Sequence, residues 1–209
     1  MSQPDLHFEE EAAARGARVI VGVDEVGRGP LAGPVTAAAV ILCDDPPAGL
    51  NDSKKLSAKR RDALAEEIMA RCDWAYSHVW IEEIDALNIY HASHLAMCRA
   101  VEALPRRPDF ALIDGNVVPR DLAIPAQAII KGDALSMSIA AASIVAKVLR
   151  DRLMVDLAQQ HPGYGWERNA GYPTKSHLQA LLDLGVTPYH RRSFAPVHNI
   201  LCKPSNPTV

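Results

Sequence analysis

The chain has few cysteines, and none of them form a CxxC pair: Cys43, Cys72, Cys98 and Cys202 are scattered along 209 residues. That pattern argues against a disulfide framework or zinc knuckle and for reduced thiols in a cytosolic protein. Long apolar runs are also missing. The longest, around Val35 to Cys43, is far short of the roughly 20 residues that span a bilayer. Glu9-Glu10-Glu11 precede any apolar run, the reverse of the basic-then-apolar order of a signal peptide. The formal net charge of -3 gives no overall basic field, so a nucleic-acid partner would have to be met by local clusters of Lys and Arg. There is no Ser-His-Asp order, no GxSxG elbow, no phosphate-binding GxxxxGK and no internal repeat, which removes the corresponding hydrolase, nucleotide-binding and solenoid readings.

What remains is an ordinary globular composition, 48% hydrophobic and 22% charged, in a length that suits one domain with a small appendage. A short helix is expected over residues 5 to 15, then a buried strand, Val19 to Val23. The Gly-Pro-rich link Gly29 to Pro34 leads to a second strand, Thr36 to Leu42. So short a link favours an antiparallel partner, because a parallel crossover needs a dozen or more residues. Ser57 caps a following helix. Ala75 to Ile81 reads as a third strand, Asp85 to Leu104 as one long helix stopped by Pro105, and Phe110 to Ile113 and Gln127 to Ile130 as further strands. A long helix, Ser138 to Gln160, carries Val145, Leu149, Leu153 and Leu157 on one stripe. Thr174 and Gly185 bracket a last helix. The expectation is an α/β fold with a five-stranded mixed sheet flanked by helices. Residues 1–160 would form the catalytic domain and 161–209 a helical appendage ending in a loose Pro-rich tail.

Three apolar runs end in acids: Val19 to Val23 in Asp24-Glu25, Phe110 to Ile113 in Asp114, and Ala128 to Gly132 in Asp133. Ligands of open α/β sheets bind where the carboxyl ends of strands meet, so these acids can converge. Hard cations such as Mg2+ bind through a few carboxylates plus water and substrate phosphates. Two such ions can activate a water and stabilise the leaving oxygen of an in-line phosphoryl displacement. Taken singly, each Asp reads more simply as a strand end or cap. Adjacent strand residues also face opposite ways, so Asp24 and Glu25 share a site only if the strand stops there.

Gly27-Arg28-Gly29, alone a tight turn, gains a use beside paired acids, since its glycines let backbone approach a sugar-phosphate strand and sense a ribose 2′-hydroxyl. Asp52-Ser53-Lys54-Lys55 precedes a helix start and offers a phosphate site, although a solvated basic loop is the simpler reading. From Arg168 to Lys203 the chain carries five Lys or Arg and one Asp, with Tyr172, Tyr189 and Phe194 available for stacking. His91 and His94 are assigned to a helix surface.

The ordered motifs GVDEVGRGPLAGPV from Gly22, DSKKL from Asp52, Ile113-Asp114-Gly115, Lys131-Gly132-Asp133, SIAAASIVAKV from Ser138, Gly171-Tyr172-Pro173-Thr174 and His190-Arg191-Arg192-Ser193-Phe194 resemble the type 2 ribonucleases H, in their bacterial ribonuclease HII branch, from about Val21 to Val197. The resemblance implies an RNase H-like fold. It also implies endonucleolytic cleavage of RNA in RNA/DNA hybrids and 5′ of single ribonucleotides embedded in duplex DNA, with Mg2+ or Mn2+; the oligomeric state is left open by the sequence, with a monomer as the default. By motif, Asp24, Glu25, Asp114 and Asp133 become the metal-binding catalytic acids. Gly27, Arg28 and Gly29 become the 2′-hydroxyl sensor, Tyr172 the residue stacking on the next deoxyribose, and Ser53 and Lys54 a phosphate grip. The chain departs from the family pattern at Leu135, where a basic residue is common, and at Arg168-Asn169-Ala170, where Lys-His-Lys is common. Both departures remove charge near the expected groove. The rival readings are a DNA nuclease on the same fold and a noncatalytic hybrid binder.

Overall fold

The computed structural model describes residues 3–202; the expected loose tail, from Lys203, lies outside them. Five strands form one sheet in the order β3-β2-β1-β4-β5, with β1 Ile20–Val26, β2 Val35–Ile41, β3 Asp73–Val79, β4 Phe110–Asp114 and β5 Ala126–Ile129. The three strands β1, β2 and β3 pair antiparallel, as the short link requires, whereas β4 joins β1 in parallel after a helical crossover and β5 pairs with β4 in parallel after a connection that holds no helix. Alternation along β2 divides the core. Val35, Ala37, Ala39 and Ile41 face a cluster built with α4 (Ile89–Glu102). Ala38 and Val40 face one built with α2 (Ala58–Arg71) and α5 (Met137–Gln160). Because both faces are covered, β2 is buried along its whole length.

The closest approach lies between β1 and α5. A Cβ built on Gly22 would fall 2.1 Å from the Ser138 carbonyl carbon and 2.4 Å from the Ile139 nitrogen. Small residues do the same on the helix side: Ser138 through Ala146 are all buried, Ala140, Ala141 and Ala142 completely. Ser136 caps α5 by accepting from the Ile139 N–H. Glu9, on α1 (His7–Ala14), accepts from the Ser136 and Ser138 hydroxyls and the Ser138 N–H, tying the N-terminal helix to the same point.

Two expected boundaries shift. The third strand starts at Asp73 and ends at Val79, so Ile81 instead opens a helix, α3 (Ile81–Leu87). The single long helix expected from Asp85 is two. Asn88 sits at φ 68, outside the helical region, and its side chain accepts from the Tyr90 and His91 N–H groups as N-cap of α4.

After α5 the described residues form α6 (Trp166–Asn169), α7 (Lys175–Leu184) and α8 (Ala195–Leu201) and no strand. Trp166, Leu181 and Val197 share a core with Leu31, Ala32, Met154 and Leu157. A buried hydrogen-bond chain runs through it. His177 Nδ1 lies 2.9 Å from the Tyr172 carbonyl oxygen, which can only accept, so Nδ1 carries the proton. His177 Nε2 then accepts from Trp166 Nε1–H and from His190 Nε2–H, each at 3.1 Å. His190 Nδ1 in turn accepts from the Thr187 N–H. Both rings are therefore neutral. Burial pushes their pKa values down, with His190 falling to about 3 under the added influence of His177 and His161.

Two outcomes follow from this packing. Gly22→Ala is expected to cost on the order of 3 kcal/mol in urea unfolding, since backbone lies on the clash side and only a shift of α5 can relieve it; an unchanged midpoint would refute the close approach. The second concerns acid. An unfolded chain protonates its histidines near pH 6.5, whereas folded His190 waits until about 3, so its stabilising contribution is complete above 6.5 and is lost as pH falls through that window. Over the upper half of that window, His190→Gln should show a shallower fall of melting temperature with pH than the wild type, and equal slopes would contradict the neutral assignment.

Candidate active site

The parallel register of β1 and β4 brings the first acids together. Ile20 pairs with Phe110 and so on to Val23 with Ile113, and the next residue on each strand is Asp24 and Asp114. Each shares a strand face with the residue two before it, Gly22 and Leu112, on the α5 side of the sheet. β1 does not stop at Asp24, as the shared-site condition required, but runs to Val26 beside β2. The edge toward β4 is nevertheless open beyond Val23, and the longer side chain of Glu25 reaches around it. Asp24, Glu25 and Asp114 each place one carboxylate oxygen within 4.8 Å of the other two.

Asp133 arrives from a different element. Lys131, at φ 58, turns the chain after β5 into a 3₁₀ turn, Gly132–Ala134. Its N–H groups at Gly132 and Asp133 donate to Asp114 Oδ1 at 2.7 and 3.4 Å. A Cβ on Gly132 would sit 2.6 Å from Ile139 Cδ1, so any side chain there would have to displace the end of Ile139. Asp133 stands outside the triplet but beside it, and together with Asp114, Asp52, Lys54, Lys55 and Lys131 lines an open cleft of about 420 Å³.

The electrostatics are those of crowded like charges in a half-dry cleft. Burial, then Glu25, Asp114 and Asp133, push the Asp24 carboxyl well above the usual range. Asp133 rises to about 6, through burial, Asp114 and Asp52. Glu25 also rises by burial, with Arg28, 3.2 Å away, opposing. Lys54 faces the same acids: burial lowers its pKa, but Asp24, Asp133, Asp52 and Asp114 together raise it. An all-oxygen donor set with surplus negative charge fits a hard divalent cation. Among the described residues it is the one group of three or more such side chains placed to hold a metal. His91 is exposed and His94 packs on Tyr90 at 4.4 Å between ring centroids, as the surface assignment expects.

The other expected site residues divide. Gly27, at φ 93, and Gly29 flank Arg28 on a loop next to the acids, and Tyr172 lies against it, its Cε1 3.3 Å from where a Gly29 Cβ would be. The Tyr172 ring is 40% exposed, free on its outer side for stacking. Ser53 is 4% exposed and accepts a hydrogen bond from Ser143 Oγ at 2.7 Å, so this hydroxyl anchors the loop to α5 and Lys54 alone faces the cleft. The expected basic stacking segment is corrected in part. Arg191 is fully buried, Tyr189 packs on Trp80, and Phe194 lies against the core under the Arg191 guanidinium, because an apolar core claims aromatics as readily as a nucleic acid does. Sequence reasoning did not single out Asp52, which acts on Asp133 and Lys54, or the buried Arg150, and it grouped the buried Arg191 with the basic stacking segment. No local pattern distinguishes a buried arginine from a surface one.

A family model described as Ribonuclease HII matches residues 21–197. The chain belongs to the ribonuclease HII family. A ribonuclease HII of Paracoccus denitrificans is 70% identical over 209 residues, covering 100% of both chains. The ribonuclease H2 of Pyrococcus horikoshii superposes with a TM-score of 0.73 at 26% identity over 88% of this chain and 97% of its own. The RNase HII of Archaeoglobus fulgidus, solved in complex with PCNA, gives 0.69 at 28% identity over 83% and 94%. Membership in ribonuclease HII makes the chain a metal-dependent endoribonuclease acting on RNA/DNA hybrids, on the RNase H-like fold expected from its motifs. Among the described residues no helix is long and apolar enough to cross a membrane.

If the acids share a cation, charge and metal should trade off. In EDTA, Asp24→Asn is expected to melt above the wild type, one buried like charge having been removed. Millimolar Mn2+ or Mg2+ should raise the melting temperature of the wild type and scarcely move the variant. A wild type indifferent to metal would count against the shared site.

Proposed function

We propose that the protein cuts on the 5′ side of single ribonucleotides embedded in duplex DNA as well as in RNA/DNA hybrids, leaving 5′-phosphate and 3′-hydroxyl ends. It would thereby remove misincorporated ribonucleotides and RNA primers in the cytoplasm, as a monomer. The observation that carries this reading is a juxtaposition. The carboxylates of Asp24, Glu25 and Asp114 lie within 4.8 Å of one another at one end of β1, and the loop leaving that strand, Gly27-Arg28-Gly29, lies under the exposed ring of Tyr172. A phosphate at the acids then has its ribose at the loop and the next sugar at the ring.

Two divalent cations, Mg2+ or Mn2+, held by Asp24, Glu25, Asp114 and Asp133 would supply Lewis acidity to an in-line displacement at phosphorus. The chain's own residues do the rest. The Gly132 and Asp133 N–H groups hold Asp114 Oδ1, fixing the direction of its second oxygen. Lys54 supplies positive charge across the cleft from the acids and grips the phosphate flanking the cut, with Ser53 setting the loop. Glycines at 27 and 29 let backbone N–H and C=O groups approach the 2′-hydroxyl, the group that separates RNA from DNA, and Arg28 brings charge to the phosphate beside it. Residues 1–160 act as the catalytic part, and residues 161–209 bring Tyr172 to the substrate.

The test is cleavage of an end-labelled duplex holding one ribonucleotide, beside an all-DNA control, by wild type, Asp24→Asn, Tyr172→Phe and Tyr172→Ala. The expected result is a single cut 5′ of the ribonucleotide by the wild type, none in the control and none by Asp24→Asn. Tyr172→Phe should stay within a few-fold of wild type, while Tyr172→Ala loses on the order of tenfold or more, the scale of one stacking contact. Cutting of the control would instead indicate a DNA nuclease, binding without cutting a noncatalytic hybrid binder, and equal losses at Tyr172 a role for its hydroxyl.

A further inference from the structure

Arg150 and Arg191 are both 0% exposed, and neither has a carboxylate partner among the ion pairs of the described residues. Burying a charge in this way is costly unless hydrogen bonds compensate, and here every acceptor is a backbone carbonyl. Arg191 donates to Gly33 through Nε at 3.0 Å, to Arg28 through Nη1 at 3.1 Å and to Gly27 through Nη2 at 2.6 Å. Arg150 donates to Pro34 at 2.9 Å, Ala170 at 2.9 Å and Ala32 at 3.1 Å. Six carbonyls are thereby turned inward, five of them on the loop 27–34 and the sixth two residues before Tyr172. The fit is tight, since a Cβ on Gly27 would fall 2.2 Å from Arg150 Nε.

We propose that Arg191, with Arg150 beside it, is the positioning residue of the ribose-recognition loop. By fastening the carbonyls of Gly27 and Arg28 underneath, its planar guanidinium fixes which backbone groups of that loop face the 2′-hydroxyl. The inference rests on the reading of Gly27-Arg28-Gly29 as the ribose sensor. A loop held by three carbonyls from one rigid fork has no freedom to rotate its peptide planes, so its polar groups are preset before substrate arrives. Lysine keeps the charge but offers a single nitrogen on a flexible stem, which cannot reach three carbonyls in one plane. Burial lowers both of their pKa values, joined at Arg191 by the neighbouring Arg150, while Asp85 and Tyr172 oppose it at Arg191 and Tyr172 and Asp151 oppose it at Arg150. A polyanion laid over this loop therefore meets two buried cations that make no direct ion pair among the described residues.

The experiment compares duplexes with one ribonucleotide or one 2′-fluoro nucleotide at the same position, read as the ratio of kcat/KM values for wild type and Arg191→Lys. Melting curves establish that the variant is folded. The expected result is a ribo-over-fluoro preference in the wild type that shrinks about tenfold in the variant, the scale of one lost hydrogen bond. A merely structural role would lower both activities by the same factor and leave the ratio unchanged, and that result overturns the proposal. If the wild type itself shows no preference, the sensor reading fails, and the positioning role fails with it. Should Arg191→Lys be unfolded at the assay temperature, Arg191→Gln replaces it in the same comparison, because it leaves no charge to bury while still releasing carbonyls that the guanidinium holds at Gly27, Arg28 and Gly33. A reduced ratio in that variant supports the proposal, and an unchanged ratio overturns it.

Discussion

The contact on which the rest depends is the approach of α5 to β1 at Gly22, closer than any side chain permits. It makes the helix a ruler laid along the site. Its first turn lies under Gly22 and the Gly132 turn, through Ser138 and Ile139; Ser143 then holds Ser53. Further along, Arg150 holds the loop 27–34 and Ala170, and Met154 packs under Gly33 and Gly171. At about 1.5 Å per residue, these attachments span roughly 24 Å of one rigid rod. The spacing between the acids, the Ser53-Lys54 loop and the loop 27–34 is thus set by a single helix and not by loop closure.

That arrangement also explains why α5 is poorly described by one apolar stripe. Its N-terminal half is enclosed by the sheet on one side and α2 on the other, so Ser138 to Ala146 are buried all round, and an element buried on every side has no amphipathic period to display. The expected stripe holds at Val145 and Leu157 but leaves Leu149 and Leu153 only partly covered. What the primary structure does show there is size: alanines and serines where backbone must approach backbone.

Legibility elsewhere follows the same logic. Asp24 and Asp114 could be picked out because each follows an apolar run, and the carboxyl ends of strands are where parallel sheets gather ligands, although β1 itself continues past Asp24 to Val26. Asp133 could be picked out by the apolar run before it, but not as the turn residue it is, since it sits on a 3₁₀ turn whose left-handed Lys131 no propensity announces. The break at Asn88 had a local signal, an asparagine able both to cap and to adopt positive φ, but two adjoining helical patterns concealed it. Arg191 was misplaced among surface cations and Phe194 among stacking aromatics for one reason. Type and local spacing say what a side chain can do, while burial, decided by distant segments, determines what it does.

The charge distribution unites these pieces. Carboxylates at the end of β1 and β4 repel one another and any phosphate, so substrate cannot settle there until cations neutralise them. A few residues along, Arg150 and Arg191 hold buried positive charge, satisfied by carbonyls and without a direct ion pair, against the loop 27–34. On the proposed function, an incoming duplex is attracted first at the loop 27–34 and admitted to the acids only with metal present. On that reading, recognition of the sugar and delivery of the phosphate are separate electrostatic events on one scaffold, and the polarity of α5, acids at its N-terminal end and arginine further along, relates the two along one strand direction.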